Sequence, residues 1–328
     1  MESFRALLVS KTEEGQKLEF VQLTEADLME GDVTIDVAHS SLNYKDGLAI
    51  TGKGPIIRRY PLVPGIDLAG IVRRSTNPAW KPGDKVVLGG WGVGESHYGG
   101  FAEVARVKGE WLVPLPDGFS TADAMAVGVA GYTAMLCVMA LEEQGVVPAQ
   151  GEILVTGAAG GVGSVAIAIL AKLGFKVVAS TGRPEEEGFL KGLGAQSIID
   201  RKELSGPVKP LSKTRWAGVI DTVGSTTLAN AISQVMPEGT VAATGLAGGM
   251  DLPTNVAPFI LRGVRLIGVN SVTTPLPRRF ACWKRIARDL DKSKLAALTT
   301  HVKLDDVPRV AANIVDGKVR GRIVVDVR

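Results

Sequence analysis

The segment EILVTGAAGGVGSVAIAILAKLG, residues 152–174, carries the most specific chemistry in the chain. A buried-type strand ends at Thr156, and Gly157, Gly160, Gly161 and Gly163 follow it. Val162, Val165, Ala166, Ile169, Leu170 and Leu173 then recur at the spacing of one helical face. Strand, glycine-rich turn and helix, in that order, are the context a dinucleotide site needs. Glycine lets the backbone approach a pyrophosphate, and the helix N-terminus offers unpaired N–H donors and a positive dipole. The competing reading is a purely structural turn. The next strand, KVVA, runs into Ser180, Thr181, Gly182 and Arg183. An NAD site usually carries Asp or Glu there, about 20 residues past the first glycine, to bind the ribose 2′-hydroxyl. Hydroxyls and a guanidinium suit a 2′-phosphate instead, so NADPH is the expected cofactor. Arg201, after the following strand, is a second cation for that phosphate. The competing reading leaves both arginines as solvated surface groups. Glu185 to Glu187, after Pro184, read as an acidic first helical turn.

Other chemistry loses support. His39, His97 and His301 have no metal-ligand spacing to one another or to a cysteine, so each reads as structural and no metal is expected. Neither a GxSxG elbow nor HExxH occurs. Cys137 and Cys282 cannot build a disulfide framework; Cys137, in TAMLCVMAL, reads as a core thiol, and Cys282 has no assigned role.

The elements that must position these residues follow from the rest of the chain. It has 328 residues, 45% apolar and 22% charged, enough for two domains with substantial cores. Glycine supplies 40 residues, well above the roughly 7% of an average protein. A formal charge of +3 without blocks of like charge gives no sign of nucleic-acid binding. No secretory signal and no run of 18 apolar residues is visible, so a cytoplasmic protein without a membrane span is expected. The first 115 or so residues read as mostly strand, with Val33, Ile35 and Val37 alternating with polar neighbours. From about residue 120 helices near 121–127, 131–145, 162–173, 185–193, 225–236 and 278–290 alternate with strands at 153–156, 176–180, 197–200, 218–221, 240–244 and 264–269. Alternating βα units imply a Rossmann-type, doubly wound parallel sheet in an α/β protein. VRGRIVVDVR, near residue 320, returns to strand and has no helix partner, which suggests that it rejoins the first domain. VRLIGVNSV reads as the edge strand of the nucleotide sheet, and pairing with a second copy would cover it, giving a homodimer.

The chain resembles the medium-chain dehydrogenase/reductase superfamily, and within it the zinc-free quinone oxidoreductase branch of the YhdH/YhfP type. The resemblance covers essentially the whole chain. It rests on SSLNYKDGLAITGKG (40–54), PGIDLAG (64–70), GWGVGESHYGG (90–100), TGAAGGVGSVA (156–166), STGR (180–183), IDTVG (220–224), GLAGG (245–249) and PFILRGVRLIGVNSV (258–272). Zinc-dependent relatives carry Gly-His-Glu where this chain has Gly65, Ile66 and Asp67. The resemblance implies a GroES-like β-rich catalytic domain over 1–122, completed by 292–328, a Rossmann NADPH-binding domain over 123–291, and a cleft between them. By matching position it implies a cofactor shell of Tyr44, Ala159, Gly160, Gly161, Val162, Thr181, Gly182, Arg183, Arg201, Leu246, Ile260, Ser271 and Arg322. Thr181 stands where close relatives have Ser, and the hydroxyl is retained.

The activity implied is NADPH-dependent reduction of the α,β-double bond of acrylyl-CoA. Tyr44 is then the side chain expected at the nicotinamide, to orient the ring or donate a proton; its competing reading is a packing aromatic. Asn43 is expected to hold the loop or the thioester oxygen. Lys45 and Asp46 read as a local ion pair fixing the NYKD turn. Arg58, Arg59, Arg262, Arg265, Arg278 and Arg279 are available for the phosphates of coenzyme A, or are solvated charges. An NADPH:quinone or general enone reductase would use the same hydride chemistry with an open, apolar acceptor pocket; a third reading is a non-catalytic NADPH-binding or scaffold protein, against which the intact glycine loop, Arg183 and Tyr44 weigh.

Overall fold

The computed structural model describes residues 3–328. They form two compact units, one with a seven-stranded and a two-stranded sheet, the other with a six-stranded sheet. Unit 1 takes the chain as far as Val129, then Val272–Ala287 and Thr299–Arg328; unit 2 is Ala130–Ser271 and Arg288–Leu298.

Unit 1 opens with β1 (Phe4–Thr12) and β2 (Gly15–Leu23), an antiparallel pair. It continues through β3 (Val33–Leu42), α1 (Tyr44–Thr51), β4 (Asp67–Ser75), β5 (Lys85–Gly89), β6 (Val104–Val107) and β7 (Val113–Pro114). The period-two residues Val33, Ile35 and Val37 are fully buried, in a core shared with Leu68, Val86 and Phe101. Helix α2 (Thr121–Glu143) is broken at Gly128, whose φ of 51° and ψ of −163° leave the helical region. The chain changes units one residue past Val129.

Unit 2 alternates β8 (Glu152–Val155), α3 (Gly161–Lys172), β9 (Lys176–Thr181), α4 (Glu187–Leu193), β10 (Ser197–Asp200), β11 (Trp216–Asp221), α5 (Ser225–Ser233), β12 (Val235–Ala243), α6 (Ala257–Arg262) and β13 (Arg265–Gly268). Its strands are all parallel, in the order β10-β9-β8-β11-β12-β13. The order reverses between β8 and β11, and ligands of such sheets bind at the strand C-termini beside that point. The helix expected to 236 stops at Ser233, since Val235 already belongs to β12.

The chain continues with α7 (Leu276–Asp289), α8 (Lys292–Ala297), β14 (Thr299–Lys303), α9 (Val307–Val315) and β15 (Arg322–Asp326). β15 lies between β14 and β3, so the late strand does join the first sheet. The boundaries differ from 122/123 and 291/292. The break at Gly128 moves the first to 129/130, and α7 as far as Ala287 lies with unit 1. Arg279, 3% exposed, anchors α7 there: it donates to the carbonyls of Gly89, Val272 and Thr274 and lies over the Trp91 ring.

Candidate active site

In unit 2, β8 delivers the glycine loop to the start of α3 at Gly161, with Gly160 as a cap that has no side chain to accept the helix N–H groups. Gly157 has φ +58°. A Cβ on Gly163 would lie 2.5 Å from the Gly157 carbonyl oxygen, so the turn folds tightly against its own helix. The result is a backbone cradle at a helix N-terminus, the form that receives a pyrophosphate. Beside it, β8 and β11 are locked at their ends. The Thr156 hydroxyl donates to Asp221 at 2.7 Å, and Asp221 also accepts from Gly224 N–H at 2.7 Å. Burial pushes the Asp221 carboxyl up. Sequence reasoning missed this lock, although the Asp-Thr-Val-Gly turn after a strand was its signal.

The adjacent strand ends bring together the residues read as a 2′-phosphate site. Thr181 pairs with Asp200 across β9 and β10. Its hydroxyl accepts from Arg183 N–H at 3.1 Å. The Arg201 guanidinium crosses Gly182 so closely that a Cβ there would meet its Nε at 2.3 Å. Arg183 lies 3.6 Å from Glu186, a buried carboxylate of the acidic turn. Leu246 and Ser271 follow the ends of β12 and β13, whereas Ile260 lies on α6, the helix that leads into β13; Leu246 and Ile260 are exposed.

In unit 1, NYKD is the start of helix α1 rather than an isolated turn. Asn43 caps it, and Asp46 reaches back to the Asn43 N–H at 2.9 Å, closing a capping box. Tyr44, the first helical residue, is 45% exposed. Lys45 does not pair with Asp46. It turns to Glu95, 2.8 Å away, because Asp46 points into the core and is fully buried. Asn43 is itself buried: its amide nitrogen faces Ser41, Asp46 and Asp67 at 3.1–3.2 Å, and its oxygen accepts from Arg322 at 3.1 Å. Of the two parts expected of Asn43, this geometry serves holding the loop.

Arg322, placed by resemblance in the cofactor shell, is 2% exposed and lies in the core of unit 1. It donates to Asn43, to the Ser41 hydroxyl at 2.8 Å and to the carbonyls of Met125 and Ala126. Asp67 accepts from Ser41 and, at 2.9 Å, from Val129 N–H. The break in α2 is thus sealed from both sides: a cation on the carbonyls before it, an anion on the N–H after it, each complementing a helix dipole. Only glycine fits at 128, since a Cβ would meet Arg322 at 2.4 Å, Ser41 at 2.7 Å and Asp67 at 2.8 Å.

Among the other candidates, His39 contacts the Thr121 hydroxyl, His97 the Arg106 carbonyl and His301 Asp326. No group of three or more His, Cys, Asp or Glu side chains among the described residues could hold a metal ion. Asp67 is saturated by its donors, and Ile66 cannot ligate, so these positions do not fit zinc. Arg262 serves the carbonyls of Ser212, Ser233 and Val235, and Arg265 pairs with Glu238. With Arg279 these arginines hold protein groups; Arg58 and Arg59 are exposed, Arg58 within 3.8 Å of Glu95. Cys137 and Cys282 are buried, and burial pushes the Cys137 thiol up. Helix α2 is long and apolar enough to cross a membrane, but 94% of its apolar window is buried in the protein.

Residues 29–117 match the alcohol dehydrogenase GroES-like domain, and residues 161–288 match the zinc-binding dehydrogenase family. The acrylyl-CoA reductase AcuI of Ruegeria pomeroyi is 53% identical over 327 residues, covering 99% of each chain. A crystal structure of Escherichia coli K-12 YhdH with bound NADPH superposes with a TM-score of 0.97 at 52% identity, covering 98% of this chain and all of that one. Bacillus subtilis YhfP with NAD bound gives a TM-score of 0.96 at 42% identity, covering 99% of this chain and all of that one.

Proposed function

The chain belongs to the medium-chain dehydrogenase/reductase superfamily, in the branch of YhdH and YhfP, and we propose that it is an NADPH-dependent acrylyl-CoA reductase. The observation that carries the reading is the nucleotide cradle with two arginines and no carboxylate at the end of β9, in a chain 53% identical throughout to an acrylyl-CoA reductase. When bound, NADPH supplies hydride to the β-carbon of the enoyl thioester. Negative charge passes to the thioester oxygen, and a proton reaches the α-carbon to give propionyl-CoA.

The chain's own residues bind and orient. The amides of Gly160 to Val162 hold the pyrophosphate, with Ala159 lining the turn. Thr181, Gly182, Arg183 and Arg201 hold the 2′-phosphate. Leu246, Ile260 and Ser271 complete the cofactor shell. Tyr44 presents its phenol to orient the nicotinamide or pass the proton. Asn43 and Arg322 support it from the core. Arg58 and Arg59 are the cations exposed for the phosphates of coenzyme A. The reaction is zinc-independent in this reading. It is further read as a cytoplasmic homodimer, without nucleic-acid or membrane partners, in which the half-exposed β13, paired among the described residues only with β12, meets its copy.

Steady-state NADPH oxidation with acrylyl-CoA, crotonyl-CoA and a simple quinone tests the function. A kcat/KM for acrylyl-CoA far above the others is expected. Equal or faster turnover of the quinone would leave only the superfamily assignment.

A further inference from the structure

One cluster of unit 1 buries two carboxylates and one guanidinium together, Asp46, Asp67 and Arg322, at 0%, 0% and 2% exposure. Such a set is expensive to desolvate and adds stability only with every group well paired. Asp67 and Arg322 have a structural task, since they seal the break in α2. Asp46 does not touch that break. Its Oδ2 accepts from Asn43 N–H at 2.9 Å and Asn43 Nδ2 at 3.1 Å, and its Oδ1 accepts from Ile66 N–H at 2.9 Å. Two of these bonds build the first turn of α1, and the third ties that turn to the segment leading into β4. Tyr44 and Lys45 lie between the two partners of that turn, and Tyr44 is the exposed one of the pair.

We propose that Asp46, as its carboxylate, is a positioning residue for Tyr44, fixing the α1 N-terminus so that the phenol is held at the reacting centre. The inference rests on the part given to Tyr44 above. Asp46 faces charged groups on two other elements, Asp67 at the start of β4 and Arg322 of β15. Lys45 is turned to Glu95, α9 meets α1 at Gly47 through Val315 and Ile314, and Lys53 pairs with Asp316 at the exposed end. Burial and the adjacent Asp67 push the Asp46 carboxyl up to about 7. A proton there replaces an acceptor by a donor among three N–H groups. The turn then loosens, and activity falls on the acid side of neutrality.

The test is the pH profile of kcat for the wild type, Tyr44→Phe, Asp46→Asn and the double variant. The wild type should show an acid limb near pH 7 that is absent from Tyr44→Phe. Asp46→Asn should lower kcat about 10- to 100-fold, the cost of slight misplacement, but have almost no effect in the Tyr44→Phe background. An acid limb that survives in Tyr44→Phe, or an equal loss in both backgrounds, overturns the proposal. If Asp46→Asn fails to fold, the limb in the wild type and Tyr44→Phe decides alone, because both keep the cluster. Absence of acrylyl-CoA turnover by the wild type counts against the functional reading only. The same comparison then uses whichever enone or quinone is reduced, and if none is, both readings fall.

Discussion

Replacing Arg183 by Ala asks whether the end of β9 reads a phosphate. The guanidinium side chain is 26% exposed, so its field on a bound dianion is only partly screened. A hydrogen bond to a charged group contributes about 1.5–3 kcal/mol, or roughly 10- to 150-fold in kcat/KM at about 1.36 kcal/mol per decade. The variant also leaves Glu186 without this cation at 3.6 Å, and a buried carboxylate near the site repels the incoming phosphate. Arg201, held across Gly182, remains as the second cation, so binding is weakened rather than abolished. The loss should therefore approach the upper end of that range, as a raised KM for NADPH. The slow reaction with NADH, which lacks the 2′-phosphate, should hardly change. Initial rates with both cofactors at a fixed acyl-CoA concentration measure this. Equal loss with NADH would show that Arg183 supports the strand end rather than the phosphate, and the assignment would fail.

Gly128→Ala combines a left-handed backbone, costing about 1–3 kcal/mol, with a Cβ forced against the buried Arg322, Ser41 and Asp67, whose hydrogen bonds to charged groups are worth about 1.5–3 kcal/mol each; urea unfolding should show a loss of at least about 2 kcal/mol, and a loss under about 1 kcal/mol would contradict the sealed break. Asp46 is protonated in the folded protein up to about pH 7 but in the unfolded chain only to its ordinary 3.8. The folded state thus binds the extra proton, so stability falls as pH rises from about 4 to about 7, by up to ~4 kcal/mol for this group. Asp67, also pushed up by burial, acts in the same direction. Surface aspartates such as Asp27, Asp84 and Asp305, held low by their hydrogen bonds, lose their contribution only as the pH drops below that range. Unfolding free energy at pH 5, 6, 7 and 8 checks the sign, and a rise with pH across that window would reverse it. Light scattering at micromolar concentration should give twice the 34.4 kDa of one chain, and a stable monomer would remove the dimer.

The pH dependences of activity and stability run in opposite directions, for one reason. The protonated cluster is cheaper to bury but holds Tyr44 less firmly. A site residue that costs stability in its working form is a familiar trade in folded proteins.

Unit 2 was legible in the sequence because its signals are local. Strand, glycine turn and helix lie within 152–174, and the next two strands carry Thr181, Arg183 and Arg201 at their ends. Helix α1 was not legible by periodicity, since YKDGLAIT is short and has glycine at its centre; the Asn43-to-Asp46 spacing was its only local signal. Lys45 finds Glu95 50 residues away, and Arg322 finds Ser41 at a separation of 281. No window of sequence contains such partners, so the burial of Arg322 and the turn of Lys45 away from Asp46 follow only from the folded chain. The same holds for α7, whose buried Arg279 finds the Gly89 carbonyl at a separation of 190.

That separation of 281 residues also sets a schedule. The His39–Leu42 edge of β3 receives β15 only after the intervening chain has been made. At about 5–20 residues per second, a ribosome takes roughly 14–56 s to cover that distance. For that interval the nascent chain carries an open strand edge and a carboxylate, Asp67, whose guanidinium does not yet exist. Residues 130–271, nearly all of the nucleotide-binding unit, are contiguous and complete earlier, so the part translated first is the part that finishes folding last.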